Sequence, residues 1–304
     1  MAAGKMHADE QDIGVPLVRR LIARQFPQWA ELSIAPLATA GTDNAIFRLG
    51  DEMAVRLPRI ADATGQVEKE LRWLPRLAPR LPLTIPTPLA KGLPGEGYPW
   101  EWCVHRWIAG ENATVAQVAD PLVFATDLAR FITGLWRIDL KEWPPDELPQ
   151  SSRGVPLHTR DVYVRNAIAA LAGKLDTRAV TAAWEAAVAV PEWDGPPVML
   201  HGDLQPLNLL VERGRLHAVI DFGALSVGDP AADVMTAWLA LTADTREAFR
   251  TALAVDGATW ARARGWALSV GLIALPYYEQ TNPALASIAR HAIREVLADH
   301  QNQG

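Results

Sequence analysis

The chain has 304 residues, of which 49% are hydrophobic and 21% charged, with a formal net charge of −6. That composition fits one large or two medium globular domains; it excludes a mostly disordered chain and argues against a general nucleic-acid binder, which needs a basic balance. The single cysteine, Cys103, rules out an internal disulfide and a multi-cysteine metal site.

The polar N-terminal segment has no apolar core of a secretion signal, and no stretch approaches the roughly 18 apolar residues of a membrane span. A cytoplasmic protein without a membrane partner is the expectation. Val15 to Phe26 reads as a helix, with Leu17, Val18, Leu21 and Ile22 on one face. Residues 32–58 read as β structure: SIAPLATA, AIFRLG and MAVRLP are short apolar runs separated by GTDN and GDE, which are turn chemistry. The spacing of Val67, Leu71, Leu74 and Leu77 predicts a helix from about Thr64 to Leu77. The proline-rich stretch that follows excludes a long helix, and WEWCVHRWI is the next predicted strand, ending at Ala109-Gly110. Cys103, inside this apolar run, is expected to be buried and inert.

Beyond Gly110 the texture changes. Residues 114–140, 159–190, 231–254 and 258–300 are rich in Ala and Leu at helical spacing. Between them, VMLHGDLQPLNLLV and GRLHAVIDFG are β-like and joined by a turn at 212–215. The expected fold class is α+β and two-lobed: a small β-rich N-terminal lobe over 1–107 and a larger, mostly helical C-terminal lobe over 108–304. Two unequal lobes place a ligand cleft between them.

The chemistry concentrates in residues 199–233, MLHGDLQPLNLLVERGRLHAVIDFGALSVGDPAAD. Asp203 and Asn208 lie five apart and Asp221 thirteen further on, so the hairpin is expected to bring Asn208 and Asp221 together. A carboxylate and an amide oxygen are hard ligands suited to Mg²⁺ held jointly with phosphate oxygens. Asp203, left off the metal, is the candidate to accept a hydroxyl proton and aim that oxygen at a γ-phosphoryl group.

This segment resembles the aminoglycoside phosphotransferase family, small-molecule kinases of protein-kinase-like fold. The resemblance implies that Asp203 is the catalytic aspartate and that Asn208 and Asp221 bind metal. Asp229 and Asp233 match a following acidic segment that fixes the loop and caps a helix, and His201 is read as structural. Asp229 follows Asp221 by only eight positions, which leaves no room for a protein kinase's activation loop and favours a small-molecule acceptor.

The resemblance also implies that the N-terminal lobe holds ATP, with GTP as the alternative. Gly41, Thr42 and Asn44 lie where the family has its phosphate-covering loop. Arg56 stands where the family has a phosphate-contacting lysine, and none of the five lysines lies on that strand. Arginine keeps the charge and adds a planar fork. Glu70 matches the family's lysine-pairing glutamate, with Glu68 as the fallback. Adenine is expected on main-chain groups of Arg106 and Ile108, with Trp102 and Trp107 as candidate flanking rings.

Acceptor recognition is expected in the C-terminal helices, with Trp238, Trp266, Tyr277, Tyr278 and Glu279 as candidates. Residues 222–304 carry eight acids against six bases, which is not a strong signal for a polycation. The expected activity is therefore Mg²⁺-dependent phosphoryl transfer from ATP to a hydroxyl of a small molecule. An aminoglycoside or macrolide antibiotic is the first candidate. A sugar, amino alcohol or amino acid is the second, and a nucleotide-binding pseudokinase is a different class of answer.

Overall fold

The computed structural model describes residues 10–37, 43–113 and 118–301; Gly41 and Thr42 of the expected phosphate-covering turn lie outside the described residues. The chain forms two compact units. The first runs to Gly110 and takes back Ala218–Gly223; the second comprises Glu111–His217 and the residues from Ala224 onward.

In the first unit, β1 (Ile34–Pro36), β2 (Asn44–Leu49), β3 (Met53–Pro58), β4 (Pro88–Gly92) and β5 (Trp102–Arg106) make an antiparallel sheet of order β1-β2-β3-β5-β4. Successive residues of a strand face opposite sides, and that period sorts the side chains here. Phe47 and Leu49 of β2, Val55 and Leu57 of β3, and Trp102 and Val104 of β5 form one core with Val18, Leu21 and Ile22 of α1 (Val15–Gln25). The alternate residues Asn44, Arg56, Cys103 and His105 are buried on the other side of the sheet. Glu70 of α2 (Thr64–Leu77) meets them there. The proline-rich stretch contains β4, because an edge strand tolerates proline where a helix does not. The returning segment is tied in where Val219 donates its N–H to the Thr84 carbonyl at 3.0 Å.

The second unit is mostly helical: α3 (Pro121–Trp136), α4 (Asp161–Ala170), α5 (Thr177–Val188), the short α6 (Ala231–Val234) and α7 (Thr236–Leu239), α8 (Ala243–Leu253), α9 (Gly257–Tyr278) and α10 (Pro283–Gln301). Helix α9 is central and apolar nearly all round; it packs against α10 and also against α4, α5 and α6. Two small sheets carry the polar loops: β7 (Val198–Leu200) pairs with β10 (Ser226–Gly228), and β6 (Glu111–Asn112), β8 (Leu209–Glu212) and β9 (Arg215–Val219) form the other in that order. The fold is mixed α and β, with a β-sheet N-terminal part and a helical C-terminal part. No helix among the described residues is long and apolar enough to cross a membrane.

Candidate active site

In the first unit, Arg56 is the centre of a charged network. Its Nη1 pairs with Glu70 Oε1, while Nη2 donates to Asp221 Oδ1 at 2.8 Å and to Gln66 Oε1 at 3.0 Å. With its amide oxygen turned to the guanidinium, Asn44 accepts from Arg56 Nε at 3.2 Å. Burial alone would lower the Arg56 pKa, but Glu70 and Asp221 beside it outweigh that and raise it, so the residue stays charged. Burial raises Glu70, and Arg56 opposes the rise. His105, 3.8 Å from Glu70 Oε2, is pushed down to about 3 by burial and by Arg56, so it is a neutral imidazole. Cys103 is pushed up to about 12 by burial, which makes it an inert thiol. Glu70, Cys103 and His105 bring three metal-ligating groups within 4.8 Å, but Arg56 already supplies the cation that Glu70 pairs with.

Two residues of α2 complete this network and carry no motif in the sequence. Gln66 stands one helical turn before Glu70 on the same side of the helix, and Lys69 lies one turn after Gln66. Lys69 Nζ donates to the Gly223 carbonyl at 2.9 Å, and a Cβ on Gly223 would sit 2.8 Å from Gln66 Cδ. The Asp221–Gly223 segment is thereby gripped from α2. Asp221 itself adopts a left-handed φ of 64°, which aspartate tolerates better than most side chains, and its side chain is 44% exposed.

The expected adenine contacts fall at the end of β5. Arg106 donates its N–H to the Thr87 carbonyl at 2.8 Å, and Trp107 donates its own to Glu52 at 2.7 Å. Both N–H groups are thus engaged within the unit. Trp102 is a core residue with no exposure, so it is not a flanking ring. Trp107 carries the Arg48 guanidinium 3.9 Å over its ring.

In the second unit, the loop after β7 places Asp203 and Asn208 together. Asn208 Nδ2 donates to the Asp203 carbonyl at 2.8 Å and to Asp203 Oδ2 at 2.9 Å, and Gln205 Nε2 adds a 3.2 Å bond to the same oxygen. Both amide hydrogens of Asn208 are thus engaged with Asp203, leaving its oxygen as the atom for a hard cation. Asp203 Oδ1 faces Arg153 Nη2 at 3.6 Å, with the two side chains 27% and 18% exposed. The loop is held from below by Asp233, fully buried, which accepts the N–H groups of His201 at 2.9 Å and Gly202 at 2.7 Å. Burial pushes the Asp233 carboxyl up to about 7, against the lowering effect of those two bonds. His201 Nδ1 accepts the Asp203 N–H at 3.2 Å, a structural contact. Asp229 caps Ala231 and pairs with buried Arg262 at 2.7 Å.

The acceptor candidates separate. Trp238 and Trp266 have no exposure at all and are core rings, Trp238 lying 4.7 Å from Trp260; a fully covered ring offers a ligand nothing, so both leave the list. Tyr277 is 52% exposed and Tyr278 packs against it at 4.7 Å. Glu279 is ion-paired to Lys174 and to Arg290. Arg153 lay outside the sequence reading because its loop, SSRG, has neither periodicity nor a motif.

A family model described as the phosphotransferase enzyme family, APH, matches residues 34–266. In structure the chain is similar to the GDP and kanamycin complex of APH(2")-IIia, with a TM-score of 0.74 and 19% identity over 93% of this chain and 98% of that one. It is also similar to the apoenzyme of macrolide 2'-phosphotransferase MphH from Brachybacterium faecium, with a TM-score of 0.59 and 25% identity over 90% and 97% of the two chains. A third likeness is to a macrolide 2'-phosphotransferase of type I, at a TM-score of 0.64 and 17% identity over 93% and 98%. A comparison with curated proteins finds no match. The fold is the kinase-like one of these enzymes.

Proposed function

The chain belongs to the phosphotransferase enzyme family, and from that membership we propose that it moves the γ-phosphoryl group of ATP to a hydroxyl of a small molecule, with Mg²⁺. The observation that carries this reading is the state of Asp203. Asn208 and Gln205 hold one carboxylate oxygen, and the other, 3.6 Å from Arg153 and on a side chain that is 27% exposed, keeps lone pairs for the acceptor's proton.

In this reading the acceptor oxygen forms its bond to the γ-phosphorus as the bond to the bridging oxygen breaks, and the hydroxyl proton passes to Asp203 Oδ1. The transition state is loose, so the protein's work is positioning and charge neutralisation. Arg56 steadies the phosphates: of the five N–H donors of a guanidinium, those directed at Glu70, Gln66, Asp221 and Asn44 fix its plane, and one on Nη1 is left to give. Asn208 and Asp221 offer the hard oxygen donors that Mg²⁺ takes, and the ion would neutralise phosphate charge. The Arg106 carbonyl and Ile108 amide receive the base. GTP is the alternative donor, since one similar enzyme is described with GDP bound.

The acceptor is proposed to be an antibiotic hydroxyl, in an aminoglycoside or a macrolide, ahead of a cellular metabolite. Incubating the purified protein with Mg·ATP and a panel of both drug classes, sugars and amino alcohols tests the reading. One added phosphate on a drug, lost in Asp203→Asn, is the expected result. Transfer to a metabolite alone moves the acceptor, and nucleotide binding without transfer to any compound overturns the enzyme.

A further inference from the structure

We propose that Arg153 selects the acceptor, favouring molecules with at most one ammonium group over polycations. The inference rests on Asp203 being the carboxylate that receives the acceptor hydroxyl. With Oδ2 held by Asn208 and Gln205, a hydroxyl comes to Oδ1, and Arg153 Nη2 lies 3.6 Å from that atom. Whatever lies next to that hydroxyl meets a guanidinium.

The arginine is built into its place. Its N–H donates to Ser151 Oγ at 3.0 Å, its carbonyl accepts from Ser226 Oγ at 3.2 Å, and Ser151 Oγ in turn donates to the Ala224 carbonyl at 2.9 Å. Its stem lies on Gly202, where an added Cβ would come within 2.9 Å of Arg153 Cγ. With backbone and stem so anchored, the side chain is only 18% exposed and carries its guanidinium beside Asp203, unlike a surface arginine that swings into water.

A second arginine of this unit, Arg160, is largely covered. It is fixed by a 2.6 Å bond to Ser269 Oγ and lies 4.8 Å over the Trp266 ring. Its pKa is pushed down to about 10 by burial and by the charge of Arg153, so the two guanidiniums feel each other. Glu279, one of the acceptor candidates, is matched by Lys174 and Arg290. Like charges brought together at a binding site discriminate strongly against the wrong partner. A multiply charged aminoglycoside is disfavoured here, and a macrolide with one amine, or a neutral hydroxyl compound, is not.

Calorimetry tests this in Mg·ADP, with kanamycin as the polycation and erythromycin as the singly charged acceptor. The proteins are the wild type, Arg153→Gln, Arg153→Glu and Arg178→Glu, the last being a charge change of the same size on the exposed face of α5. Wild type is expected to bind erythromycin more tightly than kanamycin. Arg153→Gln and Arg153→Glu should shift that ratio toward kanamycin, by at least about tenfold for Arg153→Glu, and Arg178→Glu should leave it in place. Tighter kanamycin binding in the wild type overturns the proposal. So does a ratio unmoved by either Arg153 variant, including the case in which neither drug binds. Because binding is read without turnover, a protein that shows the shift but transfers no phosphate refutes the enzyme and leaves the selectivity standing.

Discussion

Arg56 on β3 and Glu70 on α2 form a buried ion pair, and a second nitrogen of the same guanidinium lies 2.8 Å from Asp221. One cation thus ties the sheet, the helix and the returning segment of the first unit together. Both side chains of the pair are nearly covered, so neither partner can be rehydrated if the other is removed. Breaking such a pair from one side leaves a buried charge and costs about 3–5 kcal/mol.

Glu70→Ala should therefore lower the denaturation midpoint strongly, and Glu70→Gln less, since the amide oxygen still accepts from Arg56. In a double-mutant cycle on stability and on ATP affinity, Arg56→Ala and Glu70→Ala should couple by more than about 1 kcal/mol. Additive losses would mean that the pair does not act as a unit.

Asp221 and Asp229 are close in sequence and different in chemistry. Asp221 is 44% exposed, whereas Asp229 is buried against Arg262. Asp221→Asn, which keeps an oxygen for Arg56 and suits the left-handed backbone, should weaken the tightening of ATP binding by Mg²⁺ with little effect on the melting temperature. Asp229→Ala should strand Arg262 and lower the melting temperature while metal dependence persists. Titrations with and without Mg²⁺, beside thermal melts, separate the two.

Asp233 sets a pH dependence. Its ordinary value is 3.8, and burial raises it to about 7 in the folded chain. Between these values the folded state holds a proton that the unfolded state has lost. The stability from this group is complete below its ordinary value and is lost as pH rises through about 7. Melting temperature should accordingly fall from pH 5 to pH 8 by more in the wild type than in Asp233→Asn. Parallel curves would show that Asp233 is not the group responsible.

Much of the first unit was legible because periodicity does the sorting. Alternation in NAIFRL and MAVRLP separates the α1-facing residues from Asn44 and Arg56, and the helical repeat of α2 turns Glu70 toward that same side. The Asp203–Asn208 loop was legible as a motif, whereas the bond by which the Asn208 amide reaches back to the Asp203 carboxylate was not. Nor was burial depth. Trp238 and Trp266 show this: an aromatic ring in a helix is more often core than pocket, but no mark in the sequence decides a given case, and only packing tells them apart. Gln66, four residues before Glu70, shares its helical face, so a signal existed for it, whereas Lys69, adjacent to Glu70, points elsewhere. Arg153 had none, because a loop residue reaches its partner through tertiary structure alone.

Gly202, between the structural histidine and Asp203, has φ of 82° and almost no room around it. A Cβ there would come within 2.6 Å of the Ala224 carbonyl and within 2.9 Å of the Arg153 stem. Gly202→Ala should cost about 1–3 kcal/mol in stability through the strained backbone and reduce turnover by displacing Asp203. A variant with wild-type melting and wild-type kcat would show that the loop does not depend on this close approach.

Asp203→Asn isolates proton acceptance from geometry. Asn208 and Gln205 both donate to Oδ2, so the new amide should place its oxygen there and keep both bonds. Its NH₂ then occupies the position of Oδ1, 3.6 Å from Arg153, and presents hydrogens where the acceptor hydroxyl needs a lone pair. The loop stays in place, and nucleotide binding, which this carboxylate does not serve, should change little. The chemical step should slow by a factor on the order of 10² or more. Single-turnover kinetics with the identified acceptor, beside calorimetry of Mg·ATP binding, read the two quantities separately. A fall in transfer with unchanged nucleotide affinity and melting temperature assigns the proton-accepting role to Asp203. Transfer within a few-fold of wild type would remove that role, because a well-folded Asp203→Asn has no other group on this side chain to take the proton.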